Sequence, residues 1–208
     1  MKPIGVLGLQ GDFDAHRRAL AEIGAPAAVV RRPEELATIS GLIIPGGEST
    51  TLIKLMRDVG FVEPLRAWHA GGAPIYGTCA GAILLAARVE HPHQFSLGFI
   101  DIDVERNAYG RQRESFETAA GRVEPGGGLE TDGSGPEELG SALELVLIRA
   151  PRISRCGPEV QVMAWHGDEP VLVRQRSVMA GTFHPELGRD RRVHGHFVEM
   201  ARTAALAA

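Results

Sequence analysis

The chain has 208 residues, of which 44% are hydrophobic and 23% are charged, and its formal net charge is −4. A chain of this length fits one substantial domain that buries its core without disulfide bonds. The acidic net charge argues against the basic surface typical of nucleic-acid binding. Two cysteines are too few for a disulfide framework, and they suit a reducing compartment in which a free thiolate persists.

The sequence predicts no targeting signal. The amino terminus runs from Met1 directly into a short apolar stretch, without the long apolar region and cleavage site of a signal peptide. No stretch of about eighteen consecutive apolar residues offers a membrane span. We therefore expect a cytoplasmic protein.

Short apolar runs alternate with helical patterns in the first half of the chain. The pattern predicts strands at 4–9, 27–30, 42–44 and 73–76, with helices at 12–23 (capped by Asp12), after Ser49 or Thr50, and at 82–87. Apolar strands that alternate with helices predict an α/β fold whose parallel sheet is covered on both faces. Ligands of such sheets bind at the carboxyl ends of the strands.

The second half is richer in strand patterns. Predicted strands lie at 96–104, 143–148, 160–164, 171–174 and 178–182, and a closing helix at 189–207. Residues 121–140 are rich in Gly, Glu and Pro, which predicts a flexible surface loop. Because the strands on both sides of this loop are needed to complete one sheet, we predict a single domain over residues 1–208.

Cys79 is the first candidate for chemistry. It lies between a predicted strand and a predicted helix, with Gly77 and Gly81 two residues away on either side. This G-x-C-x-G pattern is typical of a nucleophile elbow, a turn so sharp that only glycine-sized neighbours avoid a clash. The helix start beyond it favours a negatively charged sulfur. The alternative, a buried small apolar residue, suits Cys156 better.

His184 is the best placed partner among eight histidines. It follows a predicted strand and precedes Pro185, which biases it toward an extended backbone. In an extended chain, residues two apart project to the same side, so Glu186 can orient the imidazole. A cysteine, a histidine and an orienting carboxylate predict an activated nucleophile.

The turn at 45–49 ends the third predicted strand, next to the expected position of Cys79. Its consecutive glycines leave backbone N–H groups free to face an anion, which predicts an oxyanion hole made by Gly47 and the N–H of Ala80. A phosphate loop is excluded, because that pattern requires Gly-Lys-Ser/Thr and Gly47 is followed by Glu48. A plain tight turn stays an alternative.

Two histidine pairs have a spacing that metals sometimes use, His91 with His93 and His194 with His196. Neither pair has neighbouring cysteines or a carboxylate cluster. We therefore predict surface histidines, and we expect neither a metal nor a cofactor.

Three motifs give the chain a family resemblance. Gly-Thr-Cys-Ala-Gly at 77–81, Pro-Gly-Gly-Glu-Ser-Thr at 45–50 and Phe-His-Pro-Glu at 183–186 together resemble a class I glutamine amidotransferase domain. Segments 9–12, 106–112, 115–117 and 148–151 resemble a narrower family, the glutaminase subunits of pyridoxal phosphate synthase. The resemblance runs through nearly the whole chain.

This resemblance implies a three-layer α/β sandwich with a mostly parallel central sheet, and hydrolysis of L-glutamine to L-glutamate and ammonia. The ammonia would pass to a separate synthase subunit, within a hetero-oligomer, that makes pyridoxal phosphate from a pentose phosphate and a triose phosphate. Cys79 matches the nucleophile of the family, His184 the base and Glu186 the group that orients it.

The resemblance also implies a glutamine site. The positions matched to substrate binding are Gly46, Gly47, Glu48, Arg106, Ile148 and Arg149. Glu48 suits the α-ammonium group, and Arg106 or Arg149 suits the α-carboxylate. Gln10 would lie near the oxyanion turn and the partner surface. Family members are weakly active alone and are activated by the synthase, which suits a Gly-Gly turn that must reorient to expose its N–H.

Two alternatives stay open. One is another thiol hydrolase of similar architecture, such as a γ-glutamyl hydrolase or a stand-alone glutaminase, which would work at full rate without a partner. The other is a non-catalytic regulatory subunit on the same fold. The complete set of Cys79, His184 and Glu186 argues against this second alternative.

Overall fold

The computed structural model describes residues 2–106, 117–123 and 142–207, with 117–123 described by its backbone alone. Its strands are β1 Ile4–Leu7, β2 Ala27–Val30, β3 Gly41–Ile44, β4 Ile75–Thr78, β5 Ala86–Glu90, β6 Ile100–Glu105, β7 Glu117–Val123, β8 Ala142–Leu147, β9 Arg152–Cys156, β10 Gln161–His166, β11 Glu169–Gln175 and β12 Val178–Gly181. Its helices are α1 Phe13–Glu22, α2 Ser49–Asp58, α3 Val62–Ala70, α4 Ala80–Leu85 and α5 Arg192–Ala207, with a 3-10 turn at Pro33–Thr38.

The central sheet has the strand order β2-β1-β3-β4-β12-β11-β10-β7-β8. The first five strands in this order are parallel, and the remaining four extend the sheet in antiparallel fashion. β4 lies between β3 and β12, so the carboxyl ends of these three strands share one edge. The predicted α/β class is confirmed, and the segments that follow the three strands are the ones that carry the candidate motifs.

Two apolar clusters cover the two faces of the central sheet. On one face, α1 and α5 pack through Leu20 and Phe197 against residues such as Ile43 and Tyr76. On the other face, α2, α4 and a small sheet pack against Leu42 and its neighbours. Successive side chains of a strand point to opposite faces, so β3 supplies Ile43 to one cluster and its neighbours to the other. The result is the three-layer sandwich that the resemblance implies.

A small second sheet, of order β5-β6-β9, flanks α4. The sequence pattern missed β9, because its outward residues are charged. Arg155 lies opposite Asp103 and pairs with it at 3.0 Å, and Arg152 lies opposite Glu105 and pairs with it at 2.5 Å. These cross-strand ion pairs stabilise a half-exposed strand that hydrophobic alternation does not reveal.

Helix starts follow local capping, with one correction. The side chain of Asp12 accepts from Ala15 N at 3.0 Å, which confirms the predicted cap of α1. The predicted cap of α2 by Ser49 or Thr50 is wrong, because Glu48 occupies that position and its carboxylate accepts from Thr50 N. Longer carboxylates also satisfy the free N–H groups of a first turn, and negative charge is favoured there.

Other predicted boundaries also change. The helix predicted at 82–87 spans Ala80–Leu85, and Ala86 already begins β5. The helix predicted from 189 begins at Arg192, and α3 was not predicted because only Leu65 among its residues is buried. The predicted loop 121–140 overlaps the end of β7 at 121–123, and its remainder lies outside the described residues. Among the described helices, none combines the length and apolar character needed to cross a bilayer.

Candidate active site

Cys79 occupies a sharp turn between β4 and α4. Its φ of 48° and ψ of −104° lie in a region that residues with side chains rarely adopt. A Cβ at Gly77 would lie 2.5 Å from the backbone of Gly81, and one at Gly81 would overlap the carbonyl oxygen of Ile44. The turn therefore requires both glycines, and this matches the geometry expected of a nucleophile elbow.

The elbow is fixed by backbone hydrogen bonds on both sides. Cys79 N donates to the carbonyl of Gly181 at the end of β12, at 2.8 Å, and Cys79 O accepts from Ile83 N in α4. The side chain of Cys79 is almost fully buried, with an exposed fraction of 7%. The backbone of Cys79 is therefore fixed at the sheet edge, and its side chain is enclosed.

His184 and Glu186 follow β12 at the same edge. His184 N donates to the carbonyl of Val146 in β8 at 2.8 Å, which holds the segment in place. The imidazole Nδ1 lies 2.8 Å from Glu186 Oε1. The same ring interacts with the side chain of Cys79, and both line one pocket. The three side chains therefore lie together, as expected of a cysteine, a base and its orienting carboxylate.

Electrostatic interactions between these three side chains favour the charged forms of His184 and Glu186 despite burial. Burial disfavours the imidazolium of His184, but hydrogen bonds to Cys79 and Glu186 outweigh it and raise its pKa to about 10. Burial likewise opposes ionisation of Glu186, but the neighbouring His16 and His184 hold its pKa below the ordinary value. The arrangement therefore suits an imidazolium between a carboxylate and a nucleophilic sulfur.

A pocket opens in front of the sulfur. It is lined by Gly47, Glu48, Ser49, Cys79, Ile83, Arg106, Ile148, Arg149, Pro151 and His184. Arg106 is largely buried, and its guanidinium pairs with Glu48 Oε1 at 3.2 Å. An acidic and a basic group thus face one cavity, in which an amino acid could pair its ammonium and carboxylate groups with them.

The turn after β3 closes one side of the pocket. A Cβ at Gly46 would lie 2.5 Å from His184 Cε1 and 3.2 Å from Cys79 Cβ, so only glycine fits between them. Gly47 adopts a φ of 133°, which L side chains rarely adopt. The side chain of Gln10 holds this turn, because its Nε2 donates to Gly46 O at 3.3 Å and its Oε1 accepts from Glu48 N at 3.2 Å.

Comparison with known proteins agrees with this geometry. A family model described as the SNO glutamine amidotransferase family matches residues 6–203. The chain belongs to this family. A relative from Koribacter versatilis, named pyridoxal 5'-phosphate synthase subunit PdxT, is 52% identical over 199 residues that cover 96% of this chain and 95% of the relative. A relative of the same name from Streptomyces avermitilis is 51% identical over 201 residues, 96% of this chain and 94% of its own.

Solved structures support the same family assignment for this chain. A crystal structure titled glutamine amidotransferase matches it with a TM-score of 0.82 and 43% identity, over 96% of this chain and 98% of that one. A structure of PurLQS from Thermotoga maritima matches with a TM-score of 0.63 at 16% identity, over 100% of this chain and 99% of that one, and shows the fold alone. The predicted class, a glutamine amidotransferase enzyme, is confirmed.

The fold brings the predicted site residues of this amidotransferase to one edge. Gly47, Glu48, Arg106, Ile148 and Arg149 line the pocket with Cys79 and His184. Gly46 packs against Cys79 and His184, and Ala80 begins α4 directly after the elbow. Their roles in binding and in an oxyanion hole stay predictions.

Sequence reasoning missed a group of buried residues behind Glu186 in this amidotransferase. His16 on α1 is fully buried, and its Nε2 lies 3.4 Å from Glu186 Oε2. A signal was available, because His16 shares the inward face of α1 with Ala19 and Leu20 at helical spacing.

The prediction of surface histidines is wrong for one of the two pairs. His91 and His93 are exposed, whereas His194 and His196 are buried where α5 packs on the sheet. Burial lowers the pKa of His194 to about 3 and that of His196 to about 4. In the described residues, no group of three or more His, Cys, Asp or Glu side chains could hold a metal ion.

Proposed function

We propose that this chain hydrolyses L-glutamine to L-glutamate and ammonia through Cys79, His184 and Glu186, and supplies the ammonia to a pyridoxal phosphate synthase subunit. The observation that carries the proposal is the hydrogen bond between Glu186 and His184, with His184 and Cys79 lining one pocket that also holds paired charges. Relatives about half identical to the chain are named as synthase subunits, which supports the destination of the ammonia.

The reaction follows from the three side chains. The sulfur of Cys79 attacks the side-chain amide carbon of glutamine, and His184 passes a proton to the departing nitrogen, which leaves as ammonia. A water then attacks the thioester while His184 accepts its proton, which releases glutamate and restores the thiol. Glu186 keeps its hydrogen bond to Nδ1 throughout, which leaves Nε2 for the proton exchange.

The charged pair in the pocket supports recognition of a whole amino acid. Glutamine carries an α-ammonium and an α-carboxylate group. The ammonium is complementary to Glu48, and the carboxylate to Arg106 or Arg149. The substrate would therefore replace the ion pair between Glu48 and Arg106 with ion pairs of its own. Gly46 and Ile148 would bound the substrate sterically.

Oxyanion stabilisation involves the turn that Gln10 holds. The N–H groups of Gly47 and Ala80 are the donors that we assign to the negatively charged oxygen of the tetrahedral intermediate. Because the Gln10 side chain bonds both flanks of Gly47, docking of the synthase near Gln10 would alter the turn and complete the oxyanion hole. This arrangement favours a protein that is weakly active until its partner binds.

The test is a comparison of wild type and Cys79→Ala in the complex with the synthase subunit of the same organism. With glutamine as the nitrogen source, we expect the variant to form no pyridoxal phosphate. With added ammonium salt, both complexes should form it equally, because the synthase needs only ammonia. Cys156→Ala serves as the matched control and should retain activity, since Cys156 lies on β9 outside the pocket.

The outcomes separate the alternatives. Full glutaminase activity in Cys79→Ala would refute the assignment of Cys79 as the nucleophile. Full-rate turnover of glutamine by the isolated wild-type chain would favour a stand-alone hydrolase. Failure of a glutamine-analogue electrophile to label Cys79 in the complex would favour a regulatory subunit.

A further inference from the structure

Glu186 presents two carboxylate oxygens to two different histidines. Oε1 lies 2.8 Å from His184 Nδ1, and Oε2 lies 3.4 Å from His16 Nε2. The second distance is longer than an ordinary hydrogen bond, so the contact is mainly electrostatic. The carboxylate of Glu186 therefore lies between His184, the base of the proposed reaction, and His16, which does not line the pocket.

His16 is itself held from two sides. Its Nδ1 lies 3.0 Å from His194 Nε2 on α5, and its Nε2 lies 3.3 Å from Thr78 Oγ1 at the end of β4. His16, His194 and Thr78 are all completely buried. Elements α1, α5 and β4 thus meet at one polar cluster directly behind the elbow.

The protonation states in this cluster follow from its chemistry. Burial lowers the pKa of His16, against the attraction of Glu186, and also that of His194, so both rings are neutral at pH 7. The negative charge of Glu186 attracts a proton on the ring nitrogen that faces it, which favours the tautomer of His16 with its proton on Nε2. Nδ1 of His16 then accepts from Nε2–H of His194. The other charged or titratable groups that act on the pair are Asp12, His184 and Arg191.

We propose that His16 is a positioning residue for the triad: its Nε2–H attracts Oε2 of Glu186 and so keeps the carboxylate oriented toward His184, and His194 fixes the tautomer of His16. This inference rests on the glutaminase function proposed above. A purely structural role explains the geometry less well, because apolar residues would fill the contact between α1 and α5 without burying two imidazoles.

The experiment uses the complex with the synthase and measures kcat and KM for glutamine over a range of pH. In His16→Ala, we expect kcat to fall on the order of 10- to 100-fold, the range typical when an outer group that orients a ligand of a metal site is removed. KM should stay unchanged, because His16 does not line the pocket. Loss of the Nε2–H removes an interaction that favours ionised Glu186, so the pKa of Glu186 rises and the acid limb of kcat moves to higher pH.

Two further variants keep the test decisive if His16→Ala does not fold. His16→Gln retains an N–H that can reach Glu186, so it should recover most of kcat and the wild-type acid limb. His194→Leu leaves His16 free to move its proton to Nδ1, so it should lower kcat by a smaller factor and shift the limb in the same direction.

Leu20→Ala is the matched control, because Leu20 is fully buried on the same helix and lies outside the cluster. It should lower the melting temperature and leave kcat unchanged. If His16→Ala behaves like Leu20→Ala, or if only KM changes, His16 is structural and the inference is wrong. If the wild-type complex does not hydrolyse glutamine, the proposed function fails; if it does and the His16 variants match it, only this inference fails.

Discussion

The backbone of Cys79 is held in a conformation that costs on the order of 1–3 kcal/mol for a residue with a side chain. Neighbouring glycines and the hydrogen bond to Gly181 keep it there. The side chains around it carry a matching arrangement of charge, in which His184 is stabilised as an imidazolium against the cost of burial. At the scale of single residues, this geometry suits the nucleophilic attack that we propose for Cys79.

Glu186→Gln tests this arrangement. Glutamine supplies neither the negative charge nor an acceptor as strong as a carboxylate, while burial still disfavours the imidazolium, so the pKa of His184 should fall well below about 10. NMR titration of the His184 ring measures this fall. We expect kcat for glutamine to drop on the order of 10⁴-fold, as when the orienting carboxylate of a serine protease becomes an amide.

Glu63→Gln is the control for this charge change, because Glu63 is an exposed carboxylate on α3. It should leave both the His184 titration and kcat as in wild type. An unchanged titration in Glu186→Gln would contradict the stated cause of the raised pKa.

At the scale of elements, the site depends on how closely β3, β4 and α4 approach one another. Gly81 allows α4 to touch the carbonyl of Ile44 at the end of β3. Gly46 allows the turn after β3 to pass between His184 and Cys79. The glycines therefore set the distance between the elbow and the turn that we assign to the oxyanion hole.

Gly81→Ala should both destabilise the protein and impair catalysis. The new Cβ overlaps backbone, so α4 or β3 must shift, at a cost of about 1–3 kcal/mol or more. Thermal unfolding and the glutaminase assay measure the two effects. Gly195→Ala on α5 is the matched control, because its Cβ meets nothing within 4 Å and alanine favours a helix. Equal melting temperatures for the two variants would disprove the packing argument.

At the scale of the whole molecule, distant parts of the chain meet at the site. β12 pairs with β4, and β8 supplies the carbonyl that holds His184. Helices α1 and α5, from opposite ends of the chain, meet through His16 and His194. We therefore propose that residues 1–208 form one cooperative domain.

Two tryptophans allow this proposal to be tested. Trp68 lies on α3 in the first half of the chain, and Trp165 lies on β10 in the second half. Fluorescence of the Trp68→Phe and Trp165→Phe variants should show one midpoint within each variant that coincides with its far-UV circular dichroism transition. A fluorescence midpoint separated from that transition in either variant would indicate two independently unfolding units.

The sequence by itself determined the parallel core of the fold and the motif residues of the site. Apolar runs alternating with helical patterns indicate the sheet, and Cys79 between glycines and His184 two residues before Glu186 are local patterns that short-range geometry explains. These features could be predicted because each depends on residues that are neighbours along the chain.

Only the tertiary structure decided what lies behind and beside these motifs. It buried His194, which the sequence placed on the surface, and brought it to His16 from the other end of the chain. It also paired Arg106 with Glu48 across the pocket. Contacts between residues far apart in sequence leave no periodicity to read, because they depend on how whole elements pack. The candidate nucleophile could therefore be predicted from the sequence, whereas the contact between His16 and His194 behind Glu186 could not.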